Sequence, residues 1–486
     1  MTSKRRLRFI LALTALLCLR LHAADTRPNF LFILTDDQGY GDLGAHGNPI
    51  LKTPNMDALH HQSVRFTDFN VSPSCSPTRA ALMTGMNNLR VGVTHTMSPR
   101  NAMITSVTTL PQRLKTAGYT SACIGKWHLD NGSGTQPTDR GFDHYVHAGT
   151  HYTKDGQYRE DMFFEEAKRF MDGSKDKPFF CYLATISPHA PLIVPDKYVE
   201  PYRGKVPDDV AHFYGMIANI DENIGKLMQW LEEKKLAENT IVILMNDNGG
   251  TYGVDTFNAG MRGCKCTVWP GGTRALSFWR WPGKWKPHDV HALTAHVDVL
   301  PTLTALAGVE LPTPEKGREL DGHSLVPFLE GGDDPWFRDR QLFLHNTRWP
   351  GGMAADHKNC MAAVPWQNYL LIRSRPCANP ECNNRAVSQC DILRLVERGA
   401  TENSYTKNAQ FNWGVTPGEG WALYDLHKDP ACSNNLASTS AAIASRLHQA
   451  YDKWWDAIYP QMIADGGDAR VSDERPDKAD NSPTSK

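Results

Sequence analysis

The sequence lacks an apolar stretch long enough to cross a membrane. Its N-terminal apolar run, residues 9–19, covers eleven positions, where a span needs about 20. It also lacks an excess of charge of one sign. Lys+Arg is 52 and Asp+Glu is 53 in 486 residues, a formal net charge of -1. That balance leaves no global field for nucleic acid or an anionic membrane, so neither is expected as a partner. No internal repeat is found. Aromatics, in contrast, are plentiful: 13 Trp, 15 Tyr and 18 Phe exclude disorder as the dominant state. With 41% hydrophobic and 22% charged residues, the chain can form one large domain or two to three ordinary ones.

The N-terminus has the parts of a secretory signal. Lys4, Arg5, Arg6 and Arg8 precede the apolar run, and the small residues Ala23 and Ala24 follow it. Arg20 and His22 weigh against the alternative, a retained membrane anchor. Cys18 invites a lipoprotein reading, but Leu16 and Leu17 stand where small residues are expected. Residues 1–23 therefore read as a signal peptide and the mature chain as secreted or periplasmic. Export permits disulfides. Of 11 cysteines, Cys360, Cys377, Cys382, Cys390 and Cys432 cluster in an Asn-, Pro- and Arg-rich stretch. They read as disulfide staples, with the pairing open. Zinc competes for Cys377 and Cys382, but the C-x4-C spacing is loose and no second pair follows at finger spacing.

Residues 29–35 are almost continuously apolar and bounded by turn residues, which predicts a buried central strand. Strands are also predicted over 120–124, 179–186 and 240–245, and helices over 56–64, 77–84, 110–117 and 210–233. This alternation implies an α/β fold with a doubly wound sheet flanked by helices. Polar residues recur at the carboxyl ends of the apolar strands, where open α/β sheets bind ligands. The catalytic domain is placed at 28–338. Short strands over 342–345, 369–373 and 421–424, then a helix over 437–459, predict a smaller C-terminal α+β subdomain of antiparallel sheet and helix, residues 339–465. The Asp-, Ser- and Pro-rich tail 466–486 is expected to be disordered.

The sharpest local signal is Cys75-Ser76-Pro77-Thr78-Arg79, followed by Thr84-Gly85. Pro77 suits the first turn of a helix. Cys75 then sits at a helix N-terminus, where free N–H groups favour negative charge, and Arg79 lies one turn on, on the same side. A nucleophile beside an anion site is one reading; a buried structural cysteine at a helix start is the other.

The wider pattern resembles the type I sulfatase signature of the alkaline-phosphatase-like superfamily. In that family this cysteine is oxidised by a separate maturation enzyme, a formylglycine-generating or anaerobic sulfatase-maturating enzyme, to 3-oxoalanine (formylglycine). The resemblance maps Cys75 onto the modified residue, and Pro77 and Arg79 onto elements the maturation machinery reads. Asp36-Asp37-Gln38-Gly39 and Asn246-Asp247-Asn248-Gly249-Gly250 resemble the family's two metal elements. They imply one Ca2+ held by Asp36, Asp37, Asp247 and Asn248 beside the modified Cys75. Hard oxygen donors suit calcium, and no histidine or thiolate set asks for zinc.

Gly125-Lys126-Trp127-His128 resembles a further family element. It implies that Lys126 contacts sulfate and that His128 holds the hydrate and assists its deprotonation. Ser187-Pro188-His189-Ala190-Pro191 implies His189 as sulfate ligand and general acid at the leaving group. Arg262-Gly263-Cys264-Lys265-Cys266-Thr267, with Gly271-Gly272-Thr273-Arg274, implies Lys265 as a sulfate ligand. Arg79, Lys126, Lys265 and the cation would then clamp the sulfate oxygens. Cys264 and Cys266 stand where glycine is common, and Pro270 where the family often has Glu.

The resemblance covers about residues 28–339, with closing motifs at Leu325 and Pro327, at Leu423-Tyr424-Asp425-Leu426 and at Asp429-Pro430. Residues 346–418 match no family element. Arg348, Trp349, His357, Trp366 and Arg375 there suit either a sulfated sugar or a stapled surface insertion. The implied activity is hydrolysis of sulfate monoesters, with a sulfated carbohydrate as substrate and aryl sulfates as surrogates. Two alternatives are a phosphodiester or phosphonate monoester hydrolase of the same superfamily and a non-catalytic carbohydrate-binding protein with unconverted Cys75. The set Lys126, His128, His189 and Lys265 argues against the second.

Overall fold

The computed structural model describes residues 27–132, 134–174, 176–311, 318–382 and 415–471. The predicted signal peptide, Cys390 and residues 472–486 of the predicted tail lie outside the described residues.

The main sheet is built on β1 (Asn29–Thr35), whose seven residues are all buried. It pairs in parallel with β6 (Phe179–Ala184) on one side and β7 (Thr240–Asn246) on the other. Beyond β6 lie β4 (Thr120–Gly125) and β5 (His144–Val146). Beyond β7 lie β9 (Ser277–Arg280), β2 (Val64–Phe66) and β10 (His288–Val290). β9 runs antiparallel to both β7 and β2, so the sheet is mixed. A second sheet joins β3 (Phe69–Asn70), β8 (Arg274–Ala275) and β11 (Thr294–Ala295).

Because side chains alternate across a strand, β1 feeds two cores. Phe30, Phe32 and Leu34 pack with Ala80, Leu82, Leu114 and Leu303 from the helices Cys75–Thr84, Leu110–Thr116 and Val299–Leu306. Leu31 and Ile33 pack with Met56, Phe164, Ile217 and Ile224 from Pro54–His61, Arg159–Gly173 and Asp208–Glu233. Helices on both faces explain why β1, β6 and β7 are apolar throughout rather than alternating. A separate antiparallel sheet, β12 (Leu344–His345), β13 (Ala362–Trp366), β14 (Tyr369–Arg373) and β15 (Ala422–Asp425), packs against the helix Ala441–Ala464. The expected fold class, a large mixed sheet flanked by helices with a smaller antiparallel sheet and helix, is therefore present.

Several expectations need correction. The helix predicted to reach Val64 ends at His61, because Val64 pairs with Trp279 in β2. The helix Arg159–Gly173 and the short strands β2, β3, β5 and β8 to β11 carry too short or too mixed a pattern to be read. The tail starts later than expected. Thr94 Oγ1 donates to the Gly467 carbonyl at 2.6 Å and the Gly352 N–H to the Asp468 carbonyl at 3.0 Å, so residues 467 and 468 are held by their backbone.

No disulfide joins any two of the described cysteines. The expected staple set also splits in space: Cys432 lies with Tyr424 and Trp269, whereas Cys360, Cys377 and Cys382 share another cluster. Trp349 is fully buried, and His357 and Trp366 are buried too. Arg100 caps the Trp349 ring at 5.2 Å. These side chains belong to the subdomain interior and cannot stack on a sugar.

Candidate active site

Parallel register brings the chemistry together. Thr35 is the register partner of Asn246, so Asp36 and Asp37 leave β1 beside Asp247 and Asn248 leaving β7. The Asp247 N–H donates to the Thr35 carbonyl, and the Asp37 N–H to Asp247 Oδ1. Lys126 follows β4 two strands away, its backbone tied to the Ala184 carbonyl. Gly125 precedes it with φ +97, and a Cβ there would lie 1.9 Å from the Ala184 oxygen. Only glycine permits that approach.

Cys75 opens its helix after Ser74, which is extended, and it is 2% exposed. His128 Nδ1 lies 3.3 Å from the thiol. The other ring nitrogen, Nε2, lies 3.0 Å from the Thr96 carbonyl. A carbonyl only accepts, so Nε2 carries the proton and Nδ1 of the neutral ring faces Cys75 as an acceptor. Burial, with Lys126 and Arg79 nearby, pushes the imidazole down to about 3. Ser76 Oγ donates to the His128 carbonyl at 2.8 Å, fixing that residue at φ +62. Burial alone would raise the Cys75 thiol, but Lys126 and Lys265 hold it below its ordinary value.

The cations are paired with the carboxylates. Lys126 Nζ donates to Asp36 Oδ2 at 2.5 Å, and Lys265 Nζ lies 2.6 Å from Asp37 Oδ1. Arg79 is fully buried. Its Nη2 and Nε donate to Asp247 Oδ2 at 2.8 and 3.2 Å, and its Nη1 to the Lys126 carbonyl at 2.8 Å. Every nitrogen of that guanidinium is thus turned to protein, behind the acids. Arg79 holds Asp247 and the Lys126 backbone, while the side chains of Lys126 and Lys265 retain 12% and 6% exposure.

The residues fit a hard divalent cation. Asp36, Cys75 and Asp247 each offer one ligand atom, all within 4.8 Å of one another. Asp36 Oδ1 and Asn248 Oδ1 are buried without a hydrogen-bond partner. Burial and the neighbouring Asp36 charge push Asp247 well above the ordinary carboxylate range, a crowding that a cation would relieve. Asp37 is held at φ +69 and its carboxylate accepts from Asn248 Nδ2 at 2.9 Å. Buried polar oxygens left without a partner are costly, and the oxygens of Asp36, Asp37, Asp247 and Asn248 are the donors Ca2+ takes.

The Lys265 loop is pinned by backbone contacts. The Lys265 N–H donates to the Gly250 carbonyl, and the Cys266 N–H to the Pro73 carbonyl just before Cys75. A Cβ on Gly249 or Gly272 would meet backbone oxygen at 2.0 or 2.1 Å, which explains the glycines around this loop. Cys264 and Cys266 are both buried and not bonded to each other. Pro270, in the place of the family's Glu, starts the short helix Pro270–Thr273.

His189 reaches the site from beyond β6. Its Nδ1 lies 2.7 Å from the Ala190 carbonyl, which leaves Nε2 facing Asp37 Oδ2 at 3.7 Å. At 37% side-chain exposure it is the most open member of the set. Three supporting residues escaped sequence reasoning. Glu160 is buried and accepts from the Ser187 N–H and hydroxyl at 3.1 and 3.0 Å, and Arg159 pairs with it. Tyr158 donates to the Ile193 carbonyl at 2.8 Å. They fix the turn that carries His189, and no local motif marks them.

All ten residue positions singled out in the sequence as catalytic or metal-binding therefore meet at one set of strand ends. A family model described as Sulfatase matches residues 28–309. Homo sapiens arylsulfatase A is 32% identical over 487 residues, covering 87% of this chain and 86% of the relative. Homo sapiens N-acetylgalactosamine-6-sulfatase is 32% identical over 65% of this chain and 68% of its own length. Among solved structures, Ps i-CgsB in complex with k-i-k-neocarrahexaose superposes with a TM-score of 0.72 at 22% identity, over 90% of this chain and 98% of that one.

Proposed function

The chain belongs to the sulfatase family of sulfuric ester hydrolases, and on that premise we propose that it is an exported carbohydrate sulfatase with Cys75 converted to formylglycine. Residues 1–23 would direct export, and a maturation enzyme would oxidise Cys75. Support for the carbohydrate comes from relatives named for sugar substrates, such as the N-acetylgalactosamine-6-sulfatase. The observation that carries the reading is the convergence of Cys75, Asp36 and Asp247 ligand atoms within 4.8 Å, rimmed by Lys126 and Lys265.

Asp36, Asp37, Asp247 and Asn248 would hold Ca2+, which supplies Lewis-acid polarisation of sulfate oxygens when bound. As a hydrated aldehyde, residue 75 supplies one hydroxyl to attack sulfur and a second whose deprotonation expels sulfate. The chain's own groups do the rest. Lys126 and Lys265 bring positive charge to the sulfate oxygens. Arg79 aims Asp247 through its two hydrogen bonds to Oδ2. His128 Nδ1, unprotonated and 3.3 Å from the residue 75 side chain, accepts the proton in the second step. His189, open to solvent, protonates the leaving sugar oxygen through Nε2.

The deciding experiment is peptide mass spectrometry across residue 75 on protein from a host with the maturation machinery. The expected mass shows oxygen in place of sulfur and two hydrogens. Unmodified Cys75 in fully active protein would overturn the mechanism, and a panel of sulfated sugars would then follow only for the converted form.

A further inference from the structure

The structure places a second set of metal-ligating side chains in the C-terminal subdomain, away from the strand ends. His357, Cys377 and Cys382 are all buried, and their ligand atoms lie within 4.8 Å of one another. His357 Nε2 is 3.0 Å from Cys382 Sγ. We propose that these three residues bind a zinc-class divalent cation in a structural role, independent of the catalytic reading.

Three observations carry this. Tetrahedral zinc sets its thiolate and imidazole ligands about 2.0–2.3 Å from the ion, hence about 3.5–3.8 Å from each other. The three ligand atoms lie within 4.8 Å of one another, and the 3.0 Å His357–Cys382 pair needs to open by about half an ångström to admit the ion. Next, the cluster is chemically odd as a core. Among the described residues, the buried cluster Cys360, Cys377 and Cys382 has the partly buried Met353 packed against it and contains no buried aliphatic side chain. Such packing contributes little apolar burial, whereas a thiolate–imidazole site contributes folding energy outright.

Finally, the ligands come from two segments that need tying. His357 and Cys360 sit on one turn, the Cys360 N–H donating to the His357 carbonyl at 3.0 Å. Cys377 and Cys382 sit on another, closed by the Cys382 N–H on the Asn379 carbonyl at 3.2 Å. Asn379 Nδ2 also reaches Asp356 at 3.2 Å, so the two turns are already held in register. His345 Nε2 lies 3.0 Å from the His357 carbonyl, anchoring that turn to β12. A disulfide through Cys382 would take the thiol that His357 Nε2 faces at 3.0 Å. The fourth place of a tetrahedron falls to water, since the Cys360 thiol is turned to the Asp356 carbonyl at 3.4 Å.

The test measures zinc in the full-length protein, purified without chelator or added thiol, by inductively coupled plasma mass spectrometry. One zinc per chain is expected. Mercurial modification of the wild-type thiols should release that zinc to a colorimetric indicator, a readout that needs no variant to fold. Zinc should fall to near zero in Cys377→Ser/Cys382→Ser and in His357→Gln. It should remain in Asp36→Asn, which separates this site from the catalytic one. Retention of zinc in the His357→Gln and double-cysteine variants would overturn the assignment. So would a non-reducing peptide map that finds Cys377 or Cys382 in a disulfide, or intact thiols without zinc.

Discussion

Replacing Lys126 by Met tests whether the charge pairing at the strand ends has the energetic weight its geometry implies. Lys126 Nζ lies 2.5 Å from Asp36 Oδ2, with side-chain exposures of 12% and 0%. After substitution the nearest cation to Asp36 is Arg79, at 3.9 Å and already committed to Asp247. Removing one member of a buried ion pair costs about 3–5 kcal/mol. Arg79 offsets part of this, so a loss of about 2–3 kcal/mol is expected in calcium-free protein. Calcium should restore much of it, because the cation supplies the missing counter-charge.

The pH dependence has a definite sign. Burial alone would raise Asp36, but Lys126, His189 and Arg79 hold it well below its ordinary 3.8. Such a group stabilises the fold above its unfolded pKa, and that contribution fades as the pH falls toward the folded value. The melting difference between wild type and Lys126→Met should therefore be largest above about pH 5 and shrink below about pH 4. Turnover of an aryl sulfate should fall about 10²–10³-fold, the usual effect of one lost oxyanion donor. Melts with EGTA and with calcium across this pH range, together with kcat, check each part. A melting deficit that stays constant with pH, or undiminished kcat, would refute the reasoning.

His189→Asn should slow sulfated sugars far more than aryl sulfates with acidic phenols, since only poor leaving groups need a proton; equal losses on both would remove His189 as the acid. Burial pushes Asp42 up to about 7 despite its hydrogen bond from the Gly39 N–H. Its protonated form is favoured in the fold, so its contribution is present below pH 3.8 and lost as the pH rises through about 7. Asp42→Asn should then stabilise at pH 8 by up to about 3–4 kcal/mol and hardly at pH 4, as urea melts at the two pH values would show. Gly249→Ala puts a Cβ 2.0 Å from the Gly271 oxygen. A loss of about 1–3 kcal/mol is expected, with weaker turnover because the Lys265 loop must move; a thermal melt and one rate measurement suffice.

Local patterning made the central strands legible. β1, β6 and β7 are apolar on both faces because helices cover both faces, and a run of such residues announces itself without a partner. The active-site motifs were equally legible, because each is a short contiguous string at a strand end or helix start. The helix Arg159–Gly173 and the short outer strands were not, since their stability comes from neighbours rather than from their own period.

What the sequence by itself determined is the set of reactive residues and the central α/β pattern, because both are written in adjacent positions. Only the tertiary structure decided the roles that depend on what lies beside each group. It turned Arg79 inward onto Asp247 and left Nδ1 of His128 facing Cys75. It buried Trp349 and His357, candidates for sugar contact by composition, in the C-terminal subdomain. It set His357 against Cys382 across 25 residues. Burial and counter-charge are properties of the packed surroundings, and a residue's neighbours in space are fixed by how strands pair and turns close.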